Sequence, residues 1–295
     1  MKWLDEVSGG REDFKMRFQE IGGAILSNDR KYKKIIFFNG VPNSGKSLSL
    51  NMLKDLVGKE FTSGLNLMQL GERFGTSALY RKRLNINGES SDIRASSVEI
   101  LKSLSGNDLI TAEFKGKDHF DFVNKAMLVF AANKPITIQG GNADQALLNR
   151  FLVLRFNNSI PTDRQDPELL EKLKEEYPAI AFWFVRGYER LAENEYMFTE
   201  VEDSDNIYDF VNDDNKDLNE FFNMCFELDM QSKTPTETIK SIYNKYCREN
   251  SMPPLAESRL HDFIQNSLHL KRDRFQLNGE QTRGYIGIRP VVDLF

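Results

Sequence analysis

The period of hydrophobic and polar positions changes several times along the chain, and each change marks an element. Between residues 11 and 27, Phe14, Phe18, Ile21 and Ile25 recur at helical spacing, predicting an amphipathic helix whose last turns are weakened by Gly22-Gly23. Arg30-Lys31-Tyr32-Lys33-Lys34 reads as a short basic linker. Ile35-Ile36-Phe37-Phe38 is a continuous apolar run, and an apolar-periodic segment from Leu48 to Val57 predicts a second helix. Arg83 to Asn87 is a short candidate strand, and Ser96 to Ser103 has helical spacing at Val98 and Leu101. Met127-Leu128-Val129-Phe130-Ala131-Ala132 and Phe151-Leu152-Val153-Leu154 read as buried strands. Apolar strands separated by helices imply a mostly parallel sheet covered on both faces.

The pattern then turns helical. Asp166-Pro167-Glu168 opens a helix, with proline and acids suited to its first turn. Pro178 separates it from a second helix, Ala179 to Leu191, which carries Trp183 and Phe184. Thr236 to Glu249 is helical, with Ile239, Ile242, Tyr243 and Tyr246 on one face, and Pro253-Pro254 ends it. Leu255 to Leu268 predicts another helix, and Lys271 to Val292 two strands around Asn278-Gly279-Glu280. Helix, helix and hairpin in this order outline a winged helix.

Composition narrows the class. The chain has 295 residues, 40% hydrophobic and 28% charged, with a net charge of −5. That balance argues against a protein coated with nucleic acid and leaves room for a local basic patch. Acids concentrate between Glu200 and Asp229, where Lys216 is the only basic residue, so this stretch reads as a boundary. No apolar run reaches membrane-spanning length, and the first residues are no signal peptide. Cys225 and Cys247 form no C-x-x-C pair, and His119, His261 and His269 are scattered, so neither zinc nor a disulfide framework is indicated. A cytoplasmic protein with no membrane partner is expected.

Chemistry enters between the first strand and the second helix. Gly40-Val41-Pro42-Asn43-Ser44-Gly45-Lys46-Ser47 has the spacing G-x-x-x-x-G-K-S. Such a loop turns backbone N–H groups, and the helix N-terminus entered through Leu48, toward phosphates. Lys46 is expected to reach the outer phosphates, and Ser47 to offer a hydroxyl to Mg²⁺. ATP and Mg²⁺ are therefore the expected cofactors. Hydrolysis also needs an acid, a polar group to orient water and a cation for the transition state. Glu89, Asn133 and Arg150 follow in that order, with Glu89 a second candidate for the metal. Each also has a plain reading: a solvated loop acid, a turn residue before Lys134-Pro135, and a surface ion pair. Asp92 stands close enough to Glu89 to assist it, an alternative the spacing leaves open.

The order of these elements resembles the superfamily 3 helicases, specifically the phage and plasmid primase–helicase and poxvirus nucleoside-triphosphatase group. The resemblance is carried by Gly40 to Ser47, by Leu101-Lys102-Ser103-Leu104-Ser105-Gly106-Asn107-Asp108-Leu109-Ile110-Thr111-Ala112, by Lys125 to Pro135 ending in "A-A-N-K-P", and by Ala146 to Phe156. It implies an α/β fold: a P-loop AAA+-like ATPase core with a parallel sheet, an N-terminal helical segment and a C-terminal winged-helix domain. The expected boundaries are 1–34 for the helical segment, 35–199 for the ATPase, 200–232 for an acidic linker and 233–295 for the winged helix. Two departures stand out. Asn85 and Asn87 interrupt the strand before Glu89 where the family has apolar residues, and Asn149 replaces an arginine before Arg150.

The resemblance further implies a homo-oligomer, a hexameric ring with ATP between subunits, so that Lys46, Ser47 and Glu89 come from one subunit and Arg150 from its neighbour. It places a DNA-moving hairpin at Phe114 to Phe120, with Lys115, Lys117 and His119 as contacts; a solvated basic turn is the alternative. Lys271, Arg272, Arg274 and Arg283 fall on the expected wing, where duplex DNA and a protein partner are both open readings. No primase domain fits ahead of residue 2, so a helicase-only protein or a fragment working with a separate primase or loader is expected. The implied function is an ATP-dependent, ring-forming DNA helicase on single-stranded and forked DNA, for replication of a phage, plasmid or other mobile element. The alternative is a DNA-binding initiator that uses ATP as an assembly switch.

Overall fold

A computed structural model describes residues 2–291 apart from 89–91, 95–96, 140–144, 205–206, 208–209, 214–215, 251, 267 and 278. The chain divides into two compact units, Met1–Thr137 with Ala143–Asn212, and Ile138–Asn142 with Asp213–Phe295.

The first unit opens with α1 (Lys2–Ser8) and α2 (Glu12–Ser27), then β1 (Ile35–Gly40) and α3 (Lys46–Val57). The short elements β2 (Thr62–Ser63) and α4 (Leu67–Leu70) lead to β3 (Leu84–Asn87), β4 (Asp92–Arg94) and α5 (Val98–Ser105). β5 (Leu109–Glu113), β6 (His119–Val123), β7 (Met127–Ala132) and β8 (Ile136–Gln139) follow, then α6 (Gln145–Leu148) and β9 (Phe151–Phe156). α7 (Leu169–Glu175), α8 (Tyr177–Glu193) and β10 (Val211–Asp213) complete the series. A five-stranded sheet has the order β2-β3-β7-β1-β9, with every pairing parallel. β1 and β7 are buried along nearly their whole length, which is why they read as unbroken apolar runs.

α2 and α8 cover the sheet through an aromatic layer in which Phe18 meets Trp3, Phe38 and Phe184, and Phe14 meets Phe156 edge to face. The glycines predicted to weaken α2 let α8 approach closely. A Cβ on Gly22 would lie 2.1 Å from the Phe184 ring, and one on Gly23 would lie 2.3 Å from the Phe184 carbonyl. Pro178 does not separate two helices as predicted. It sits in the first turn of α8, where its missing N–H costs no intrahelical bond, and Glu176 alone joins α7 to α8.

The predicted basic linker is also different in kind. Arg30 is buried and donates to the carbonyls of Asp29 (2.7 Å), Arg83 (3.0 Å) and Lys125, which ties the N-terminal ends of β3 and β7 together. A guanidinium has five donors, so it can satisfy several orphan carbonyls at once.

The second unit holds α9 (Lys216–Cys225), β11 (Phe226–Pro235), α10 (Thr236–Glu249), α11 (Glu257–Asn266), β12 (Arg272–Leu277) and β13 (Glu280–Pro290). Its sheet has the order β11-β13-β12, antiparallel throughout. The stretch predicted as an acidic linker over 200–232 thus carries regular structure, in β10 and again from Lys216 onward. Its acids hide an apolar stripe: Leu218, Phe221, Phe222, Cys225 and Phe226 pack against Tyr243, Tyr246 and Phe263 in this unit's core. Charge outweighs that stripe in a composition count, but spacing decides the fold. Among the described residues no helix is long and apolar enough to cross a membrane.

Candidate nucleotide-binding site

Parallel pairing brings the C-terminal ends of β1, β7 and β3 to one sheet edge. Asn39 lies opposite Ala132 and Asn87 opposite Phe130. From β1 the chain leaves toward β2 on one side of the sheet, whereas from β7 it leaves toward β9 on the other. The crevice where neighbouring connections diverge is the place where open α/β sheets bind ligands.

The glycine-rich loop fills this place. Gly40 (φ 149°), Asn43 (φ 58°) and Gly45 (φ 90°) have positive φ, and Gly45 is the N-cap of α3. A Cβ on Gly40 would stand 2.2 Å from the Phe156 carbonyl oxygen, so the bend requires glycine. The segment after β9 braces the loop from outside. Val41 N donates to Phe156 O (3.2 Å), Ile160 N to Asn43 O (2.8 Å) and Ser159 Oγ to Pro42 O (3.2 Å).

Within the loop, Lys46 is buried and its Nζ donates to Gly40 O (2.9 Å), Val41 O (2.6 Å) and Ser44 Oγ (3.1 Å). Burial pulls its pKa below the ordinary lysine value. Val41, Pro42, Asn43 and Ser47 are exposed, and Leu48 is half-buried at the start of α3. The features a phosphate group requires are therefore present: a buried cation, backbone bent through positive φ, and a twelve-residue helix whose first N–H groups face the loop. Among the described residues no three His, Cys, Asp or Glu side chains converge as a metal cluster. Mg²⁺ commonly binds through substrate phosphates with one or two protein ligands, which the exposed Ser47 hydroxyl fits.

One residue here escaped sequence reasoning. Asn39 is buried, and its Nδ2 donates to Ala132 O (3.0 Å) and Lys134 O (3.4 Å), the carbonyls on either side of Asn133. It ties the entry of the loop to the end of β7. The signal was an amide closing an otherwise apolar run. Asn133 itself is exposed at that edge. Glu89 lies outside the described residues; β3, which precedes it, ends at this same edge.

β3 shows why its sequence looked weak. Asn85 is fully buried, donates to Leu65 O (2.9 Å) and accepts from Leu65 N (2.9 Å) and Ser63 Oγ (2.9 Å). Asn87 donates to Gly64 O (3.2 Å). These amides extend the pairing with β2 through side chains, so they replace apolar residues without leaving a polar group unmet.

Arg150 is elsewhere. Its carbonyl accepts from Ile35 N (2.7 Å) at the start of β1, about 16 Å of strand away from the loop. Its Nη1 donates to Lys102 O and to Ser105 Oγ (3.0 Å), at the C-terminal turn of α5. It thus meets a helix carbonyl and a serine hydroxyl of its own chain, not the surface carboxylate that was the plain reading. The structure does not bring Arg150 to Lys46 within one chain.

The expected hairpin is formed by β5 and β6, with Glu113 opposite His119. Lys117 N donates to Phe114 O (2.9 Å), and Gly116 takes the third turn position with φ 76°. Lys115, Lys117 and His119 are exposed. Phe114 and Phe120 stack at 5.0 Å, and Tyr80 meets Phe120 at 4.9 Å, so an aromatic base supports the basic tip. His119 Nε2 lies 3.4 Å from Glu113, which also pairs with Arg73. Buried Asn124 donates to Leu104 O (2.8 Å) and Ala126 O (2.9 Å), joining the hairpin's return leg to α5.

Comparison with known proteins gives two findings. Residues 38–150, from the loop strand to Arg150, match a family of unknown function, DUF5906. Two apo structures of the C-terminal region of NrS-1 align with 97% of this chain and 74% of theirs, with a TM-score of 0.51 and identities of 14% and 13%. At that identity the likeness is one of fold: a mixed α/β arrangement built on the five-stranded parallel sheet.

Proposed function

We propose that this chain is a nucleoside triphosphatase of the superfamily 3 type, serving replication of a phage, plasmid or other mobile element by moving along single-stranded DNA. The observation that carries the reading is the loop at the sheet's switch point, with Lys46 buried inside it and Asn39 tying it to the end of β7. In this reading the core is a P-loop AAA+-like module and the second unit a winged helix. Lys46 holds the outer phosphates of ATP after leaving the carbonyls of Gly40 and Val41, and Ser47 with Glu89 holds Mg²⁺. Asn133 orients the attacking water. The hairpin presents Lys115, Lys117 and His119 to a single strand. A bound triphosphate supplies the leaving group; the chain supplies position and charge.

Arg150 serves the next subunit in a ring in this scheme. Its bonds to Lys102 and Ser105 within its own chain favour a second reading, an initiator that assembles on ATP with little unwinding. Binding of a fluorescent ATP analogue, hydrolysis and fork unwinding distinguish the two. Lys46→Ala is expected to abolish both binding and hydrolysis. Lys115→Ala with Lys117→Ala is expected to abolish unwinding and leave basal hydrolysis intact. Fork unwinding by the unsubstituted protein overturns the initiator reading, and unwinding that survives the double change overturns the hairpin mechanism.

A further inference from the structure

The second unit contains a cleft of about 450 Å³ between α11 and the β12–β13 ribbon, lined by Gln265, Arg272, Asp273, Arg274 and Arg283. The arginines share one ribbon face. Arg272 and Arg274 are two residues apart on β12, and Arg283 lies directly opposite Arg274 on β13. Like charges directly opposed across a sheet destabilise it. A chain with net charge −5 nonetheless gathers three cations here. Among the described residues no carboxylate forms an ion pair with Arg272, Arg274 or Arg283, and all three are exposed. The carboxylate in the lining is already engaged: Asp273 accepts from Arg274 N (2.8 Å) and stands 3.8 Å from Lys271 Nζ.

We infer that this cleft binds the phosphate backbone of duplex DNA, as a contact separate from the hairpin of the first unit. The chemistry favours a polyanion that offers several oxygens to a planar fork of donors, which is how arginine meets phosphate. It favours the duplex over a single strand for two reasons. A duplex carries the denser charge, and the described lining residues include no aromatic side chain on which an unpaired base could stack. Gln265 adds a neutral donor on the helix side. No base-reading role follows, so the contact positions the second unit without selecting sequence.

The test uses the full chain and a labelled 24-base-pair duplex, with a 24-nucleotide poly(dT) strand in parallel, by fluorescence anisotropy across a salt series. Arg274→Ala with Arg283→Ala is expected to weaken duplex binding roughly tenfold or more at low salt and to lower the slope of log K against log salt by about 2, near 0.9 per lost phosphate contact. Poly(dT) binding is expected to change little. Arg274→Lys with Arg283→Lys is expected to restore most of the slope, and unchanged melting temperatures show that the fold is intact. An unchanged duplex slope, no duplex binding by the unsubstituted protein, or an equal loss on poly(dT) overturns the inference. ATP hydrolysis measured on the same variants reports on the first unit alone, so the two proposals fail separately.

Discussion

At the scale of single residues, three buried amides do what an apolar pattern cannot. Asn39 fastens the glycine-rich loop to the end of β7, Asn85 joins β3 to the segment after β2, and Asn124 holds the hairpin to α5. Each is buried with its amide N–H groups bonded to backbone carbonyls, so each costs little when present and much when removed. Asn85→Ala strands Leu65 N, Leu65 O and Ser63 Oγ without their partner. It is expected to lower the unfolding free energy by about 1–3 kcal/mol, read as a lower urea midpoint with an unchanged m-value. An unchanged midpoint would show that water replaces the amide and that the clasp is ornamental. Sequence reading flagged Asn85 and Asn87 as flaws in a strand. It had the residues right and the reason missing, because their partners at Leu65, Ser63 and Gly64 lie about twenty positions away and belong to no motif.

At the scale of elements, periodicity was the dependable signal and punctuation the misleading one. Thr236–Glu249 and Met127–Ala132 have the bounds that spacing predicts. The failures came where a residue type was read as a breaker or linker: Pro178 lies in the first turn of α8, Arg30 is a core fastener, and the acidic stretch contains α9. Pro178 needs no compensation in a first turn, whereas Arg30 and α9 find theirs in neighbours distant in sequence, Arg83 with Lys125 and Tyr243 with Phe263. The second unit also carries a pH dependence. His261 is mostly buried, with Nδ1 2.8 Å from the Tyr285 hydroxyl. Burial first, then the charge of Arg272, holds its pKa below 6.5, against a smaller opposing effect of Glu257. The unfolded chain therefore takes a proton more readily than the folded one, and stability falls as pH drops through 6.5 and below. His261→Gln is expected to flatten that fall in a series of melting temperatures between pH 7.5 and 5. A parallel fall in the variant would assign the acid sensitivity to other groups.

At the scale of the whole molecule, the residues expected to share one site lie at two ends of the sheet. The loop, Asn39 and Asn133 share the C-terminal edge of the sheet, whereas Arg150 belongs to the opposite end and contacts α5. The motif spacing made Gly40 to Ser47 legible from sequence, since consecutive residues build it. The relation of Arg150 to that loop was not legible, because it depends on which end of a parallel strand each residue occupies. If subunits share the site as proposed, mixing Lys46→Ala with Arg150→Ala protein restores hydrolysis at interfaces that pair an intact loop with an intact arginine. Each variant alone is expected to lose on the order of 10³-fold or more in kcat. Normal hydrolysis by homogeneous Arg150→Ala protein would return that residue to its structural role at the end of α5.

The most direct measurement of the central claim is steady-state ATP hydrolysis by the full chain, with Mg²⁺, in the presence and absence of single-stranded DNA. The account predicts magnesium-dependent turnover that rises several-fold with the strand and disappears in Lys46→Ala. Turnover that the strand leaves unchanged, or that persists in Lys46→Ala, would contradict it.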